Sequence, residues 1–160
     1  MQTAWSENNS IRRLAAADVP VVAALESAEL SAWSEASIAA ELGRFDGAAL
    51  VLCDGTSVAG WGCCRHNSFE AELLRISVLP AMRRRGLGSM LLESFFSLYR
   101  RQSVGEMYLE VRSRNHAAIS FYLGHGFTEV GRRINYYRQP SDDALVLKKI
   151  LNLDGEGQAK

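Results

Sequence analysis

The stretch Arg83-Arg84-Arg85-Gly86-Leu87-Gly88-Ser89 carries the densest chemical signal in the chain. Three guanidiniums supply permanent positive charge and several donors. Gly86 and Gly88 have no side chains to hold a ligand off the backbone. Leu87, Met90, Leu91, Phe95 and Leu98 then recur at helical spacing. A helix that starts here presents its first N–H groups, which lack internal partners, at the positive end of its dipole. The chemistry is polyanion binding, and a pyrophosphate fits best. The Gly-Lys-Ser or Gly-Lys-Thr of a P-loop is absent, as is the third glycine of a dinucleotide-binding turn. On the loop alone, a pyrophosphate cradle and a basic turn opening a helix remain equally open readings.

Elements must position this loop. Residues 72–78 read as the strand that delivers the chain to it, and the helix beyond runs to about Arg101, closed by Gly105. Upstream, a strand is expected at 10–14. A helix follows, capped by Asp18 with Pro20 in its first turn, and a second one capped by Ser34 that carries Ile38, Leu42 and Phe45. Strands at 48–53 and 58–65 flank an Asp54-Gly55 turn. Downstream, a strand at 107–112 should lie parallel to 72–78 through a right-handed crossover. Asn115 caps a short helix at 117–123, and strands at 127–134 and 143–149 complete the chain. The alternation of strands and helices predicts an α/β (α+β) fold with a mixed sheet. Residues 10–150 read as one domain, with flexible ends at 1–9 and 151–160.

Composition excludes several classes. Lysine plus arginine equals aspartate plus glutamate at 18 each, so direct nucleic-acid binding is not expected. No apolar run reaches the length of a membrane span, and residues 1–10 lack a signal-peptide core. Cys53, Cys63 and Cys64 have neither zinc spacing nor a disulfide framework. Buried free thiols in a reducing cytoplasm are expected. His66, His116 and His125 form no metal or nucleophile pattern, no serine sits in a nucleophile elbow, and no metal is expected.

Arg83-x-x-Gly86-x-Gly88 is similar to the Gln/Arg-x-x-Gly-x-Gly/Ala loop of the GCN5-related N-acetyltransferases (GNAT). The order of elements also resembles that fold, over residues 10–150. Leu109-Glu110-Val111-Arg112-Ser113-Arg114-Asn115, residues 117–127 and Arg132-Arg133-Ile134-Asn135-Tyr136-Tyr137 resemble the bacterial ribosomal-protein alanine N-acetyltransferases, the RimI type. Ala32-Trp33-Ser34 stands where that group carries Pro-Trp-Ser. The resemblance implies a sheet with two splayed parallel strands flanked by helices, and acetyl-CoA as cosubstrate. It implies as acceptor the N-terminal alanine of ribosomal protein S-eighteen, so the partner is a ribosomal-protein N-terminal peptide. The alternatives are another amine, such as a protein lysine or a small molecule, or a silent acyl-CoA-binding module.

Acetyl transfer to an amine needs a group to take the amine's proton, donors for an oxyanion, and a proton for the departing thiolate. Glu110 lies between Leu109 and Val111. Spacing alone favours an ion pair with Arg112 or Arg75; the resemblance implies the proton acceptor. Tyr122 is an acid by chemistry and an ordinary core tyrosine by frequency, and the resemblance implies the proton donor. The same resemblance implies cofactor contacts from Ile76, Ser77, Val78, the residues 83–89 and Asn115. Trp33, Tyr136 and Tyr137 are candidates to line the peptide site, with aromatic packing an equal reading. Arg132, Arg133 and Arg138 are expected to be solvated.

Overall fold

The computed structural model describes residues 7–151. The flexible ends expected at 1–9 and 151–160 lie outside them, apart from Glu7–Asn9 and Leu151. Asn9 already opens the first strand, and Leu151 is buried with its N–H donating to the Gly105 carbonyl at 2.8 Å.

The elements are β1 (Asn9–Arg13), α1 (Val19–Glu26), α2 (Glu35–Ala39), β2 (Gly47–Asp54), β3 (Ser57–His66), β4 (Glu70–Val78), α3 (Leu87–Arg101), β5 (Glu106–Arg112), α4 (His116–Gly124), β6 (Thr128–Arg138) and β7 (Ser141–Ile150). Short 3-10 turns occupy Ala16–Asp18 and Pro80–Met82. This is the expected order. The hydrogen-bonded strand order is β1-β2-β3-β4-β5-β7-β6. The β4–β5 pair is parallel, as the strand–helix–strand order requires, and the pairs β1–β2, β2–β3, β5–β7 and β6–β7 are antiparallel.

The chain divides into two compact units, Met1–Arg65 with Arg75–Ser97, and His66–Leu74 with Leu98–Lys160. In the first, the β2–β3 hairpin turns at Gly55, whose φ of +63° lies in the left-handed region open to glycine. Its core includes Val22, Ile38, Val51, Leu52, Trp61, Leu91 and Phe95, each fully buried. Gly60 and Gly62 on β3 allow close approach. A Cβ on Gly60 would stand 2.9 Å from the Ser77 carbonyl oxygen. One on Gly62 would meet both the Arg75 carbonyl oxygen and the Phe95 ring at 2.9 Å. These two positions therefore admit the backbone of β4 and the side chains of α3 where any larger residue would push them off.

In the second unit, β5 alternates strictly, with Met107, Leu109 and Val111 buried and Glu106, Tyr108, Glu110 and Arg112 half-buried on the other face. It pairs with β7 from Glu106↔Ile150 to Arg112↔Ala144. Its parallel register with β4 runs only from Glu70↔Glu106 to Leu73↔Leu109.

Three local expectations are corrected. Asp18 precedes α1 but does not cap it; its carboxylate takes the Ala15 N–H at 2.8 Å and the Arg12 guanidinium at 2.7 Å. Its two oxygens are better satisfied by a full charge than by a helix start. The second helix stops at Ala39, and Phe45 is 95% exposed rather than on an apolar helical face. The left-handed residue after α3 is Ser103, at φ +59°, not Gly105. Gly105 instead bridges by its backbone, with its N–H on the Phe69 carbonyl at 3.1 Å. The caps by Ser34 and Asn115 are as expected, accepting from the N–H of Ser37 at 3.1 Å and of Ala118 at 3.2 Å.

Candidate active site

The candidate residues fall into two groups, each within one unit. Ile76, Ser77, Val78 and residues 83–89 lie in the first; Glu110, Asn115 and Tyr122 lie in the second.

In the first unit, β4 ends at Val78 and the Pro80–Met82 turn leads into the basic loop. The loop reverses through two left-handed residues, Arg84 at φ +63° and Gly86 at φ +77°. Helix α3 then starts, with the Met90 N–H on the Gly86 carbonyl at 3.1 Å. The N–H groups of Leu87, Gly88 and Ser89 are thus those of the first turn, which no carbonyl of the helix can reach. Arg84 and Arg85 are exposed beside them. An exposed donor set of this kind, with permanent charge and a glycine at the helix start, fits a diphosphate.

Arg83 is set apart from the other two arginines. Its Nε donates to the Val78 carbonyl at 3.2 Å, and its guanidinium pairs with Glu29. Ser77, itself buried, donates its hydroxyl to the same Glu29 at 3.3 Å. Arg83 therefore closes the loop onto the end of β4, and Glu29 is a partner that sequence reasoning missed. Forty-eight or more residues separate these pairs, so no local spacing signals them.

Beneath β4 lies a second missed residue. Glu26 is 0% exposed and accepts from Trp61 Nε1 at 2.7 Å, from Arg75 Nε at 2.8 Å, from a second Arg75 nitrogen and from the Trp33 N–H at 3.3 Å. Trp33 meets Trp61 edge-on, with ring centroids 5.6 Å apart. One buried carboxylate thus ties the Trp33 segment, β3 and β4 together.

In the second unit, Glu110 is the first residue of β5 beyond the parallel register. Its side chain is 20% exposed, and its Oε1 lies 2.8 Å from Nε of Arg133, which is 58% exposed. The partner is neither Arg75, which belongs to Glu26, nor Arg112, which bonds the Gln139 and Pro140 carbonyls and lies over the Tyr137 ring. The Arg133 guanidinium also lies 5.7 Å from the centre of the Tyr136 ring, and the Glu110 carboxylate nearby holds the Tyr136 phenol's pKa above its ordinary value. Tyr137, edge-on to Tyr136 at 5.1 Å, is raised as well, first by burial and then by the Glu110 charge. So Arg133, while 58% exposed, is also an ion-pair partner. Arg132 is too, at 2.9 Å from Asp143.

Tyr122 is 9% exposed, with its ring edge-on to Phe127 at 5.7 Å and to Phe121 at 5.3 Å. Asn115 spends its carboxamide oxygen on the α4 cap, so its –NH₂ is the end a ligand would use. The arrangement offers exposed positive charge at a helix start in one unit, and in the other a reachable carboxylate and a buried phenol.

The acetyltransferase (GNAT) family matches residues 10–127. A ribosomal protein bS18-alanine N-acetyltransferase of Salmonella typhimurium is 35% identical over 143 residues, 87% of this chain and 95% of that protein. The N-alpha-acetyltransferase RimI of Mycobacterium tuberculosis is 35% identical over 158 residues, 92% of this chain and 96% of that one. The crystal structure of the ribosomal-protein-S18-alanine N-acetyltransferase from Escherichia coli matches with a TM-score of 0.84 at 30% identity, covering 95% of this chain and 99% of that one. A family match over most of the chain, with relatives this similar over nearly their whole length, means that the chain belongs to the acetyltransferase (GNAT) family.

Proposed function

We propose that this protein moves the acetyl group of acetyl-CoA to a protein N-terminal α-amine, and that its acceptor is the N-terminal alanine of ribosomal protein bS18. The observation that carries the reading is Glu110: a carboxylate at the end of a paired strand edge, reachable from solvent and paired with an exposed arginine. The acceptor is taken from the relatives whose names specify it.

Each residue has a task in this reading. The first-turn N–H groups of Leu87, Gly88 and Ser89, with Arg84 and Arg85, bind the diphosphate. Arg83 holds the loop closed on β4. The backbone of Ile76, Ser77 and Val78 pairs with the amides of the pantetheine arm, as an open strand edge does with an extended chain. The Asn115 –NH₂ adds one donor. Bound acetyl-CoA supplies an activated acetyl thioester. Glu110 takes a proton from the α-ammonium, directly or through a water, because only the free amine is nucleophilic and a terminal ammonium titrates near ~8. Tyr122 gives its phenolic proton to the sulfur. Trp33, Tyr136 and Tyr137 line the peptide's path.

The partner is the amino terminus of a ribosomal protein, so the work is cytoplasmic in this reading. No helix among the described residues is long and apolar enough to cross a membrane. The test is mass spectrometry of peptides incubated with the protein and acetyl-CoA. One peptide carries the bS18 amino terminus; the other has a blocked amino terminus and a free lysine. Acetylation of the α-amine alone is expected. Acetylation of the lysine peptide alone would replace the acceptor, and no transfer to either would overturn the reading.

A further inference from the structure

We infer that Asp143 is a positioning residue for the Glu110 site: it pins an irregular stretch of β6 in the conformation that sets the Tyr136 ring beside the Arg133 guanidinium paired with Glu110. The inference rests on the reading of Glu110 as the proton acceptor.

A regular strand alternates its faces, so residues 133 and 136 of β6 should point to opposite sides. Here the Arg133 guanidinium pairs with Glu110 and also lies 5.7 Å from the centre of the Tyr136 ring. The register explains how. Arg133 pairs with Ala144 and Tyr137 with Asp142, so β6 advances four residues while β7 advances two. Residues 134–136 therefore stand outside the ladder, where no pairing enforces the alternation of a regular strand. At the turning point Asn135 stands at φ +53°, in the left-handed region that asparagine tolerates better than most residues with a side chain.

A strained, exposed bulge on β6 needs a tether to hold one shape. Asp143 supplies it from β7. Its Oδ1 accepts the Asn135 N–H at 2.8 Å, and its Oδ2 takes the Arg132 guanidinium at 2.9 Å. The two tethered residues bracket Arg133. The Asn135 N–H, with Arg132, holds the Asp143 carboxyl below the ordinary carboxylate range, so it stays anionic and keeps both bonds at neutral pH. Asp143 itself touches neither Glu110 nor anything Glu110 would act on. It acts through Arg133 and Tyr136.

The consequence is a defined counter-ion at Glu110. An arriving α-ammonium has to replace Arg133, cation for cation, and the replacement is clean only if Arg133 and Tyr136 start from one geometry. Loss of the tether lets the bulge sample others, and misplacement of about 1 Å at such a site costs up to ~100-fold in rate.

Two measurements test this on the intact protein. The first needs no acetyl-CoA: the NMR signal of the Arg133 Nε–H. In Asp143→Ala this signal is expected to move to the position of a free guanidinium, while the rest of the spectrum stays dispersed. In Asp143→Asn, which still offers Asn135 an acceptor, it should stay close to its original place. An unmoved signal in the alanine variant would overturn the inference, as would equal loss in both variants. The second measurement is turnover. Asp143→Ala should lower kcat about 10- to 100-fold with the KM for acetyl-CoA unchanged. It should have no further effect in an Arg133→Gln, Tyr136→Phe background, because residues acting through the same pair do not add. Additive losses would place its role elsewhere. An inactive Glu110→Gln beside a fully active Asp143→Ala would sink this inference alone. A fully active Glu110→Gln would sink the reading on which it rests.

Discussion

Glu26 and Glu110 are the same device set at two depths. Each carboxylate takes an arginine with an aromatic side chain close by: Arg75 and the Trp61 indole for Glu26, Arg133 and the Tyr136 ring beside it for Glu110. Glu26 is 0% exposed and saturated by four donor contacts. Glu110 keeps 20% of its side chain in solvent, and its arginine keeps 58%. Depth decides what such a cluster can be used for. A buried pair cannot exchange a partner without leaving a charge stranded in low dielectric. A pair at the surface exchanges with water, ions or a substrate ammonium at little cost. The comparison teaches that a carboxylate–arginine–aromatic cluster is structural where it is sealed and available for chemistry where its cation is free to leave.

The largest expected effect separates the two directly. Glu110→Gln should lower turnover about 10²–10⁴-fold, the usual cost of removing a proton acceptor. Its melting temperature should stay near that of the parent, since an exposed ion pair contributes only ~0.2–1 kcal/mol. Activity and thermal melting are read on one preparation. A variant that melts early yet turns over normally would move Glu110 into the structural class.

Glu26→Gln should behave in the opposite way. Arg75 would lose its counter-charge at a 19% exposed site, and breaking a buried pair costs about 3–5 kcal/mol. Denaturant unfolding reads the loss, and turnover per folded molecule should persist at low temperature. Stability unchanged by this substitution would show that burial is not what distinguishes the clusters.

Tyr122 sharpens the comparison, because it is buried like Glu26 and yet assigned chemistry. Tyr122→Phe keeps the ring and its edge contacts with Phe121 and Phe127. Turnover should fall about 100-fold with the KM for acetyl-CoA little changed. Equal turnover in the two proteins would leave Tyr122 as packing.

The smallest effect concerns a third carboxylate, Asp18, which is buried beside an Arg12 that is 47% exposed. Arg12 first, and then the Ala15 N–H, hold its pKa below the ordinary value near ~3.9. A depressed carboxylate contributes stability above the unfolded value and loses it as pH falls through the folded one. Melting temperature should therefore be flat from neutral pH to about 4 and decline below it. In Asp18→Asn that acid-side decline should be shallower, and an identical decline would assign it to other groups.

Much of the frame was legible because local rules govern it. Glycine spacing and helical periodicity placed the turn at 83–89 and the start of α3. Ser34 and Asn115 were readable as caps because a cap bonds only three residues away. The strict alternation of β5 was readable too, although its consequence for Glu110 was missed: Leu109 and Val111 flank it in sequence and face away from it in space. The partners were not legible. Arg75 meets Glu26 across 49 residues, and Arg83 meets Glu29 across 54. Arg133 meets Glu110 only through the pairing of β6 with β7 and of β7 with β5.

By itself the sequence determined the order of elements, the basic glycine turn and the caps by Ser34 and Asn115, because each follows from spacing of a few residues or from side-chain chemistry. Only the tertiary structure decided which arginine pairs with which carboxylate, that Arg83 locks the loop to Val78 and Glu29, and that Glu26 is sealed while Glu110 stays open. The physical reason is that the strength and exchangeability of a charge pair depend on burial, and burial belongs to the packed chain rather than to any stretch of it.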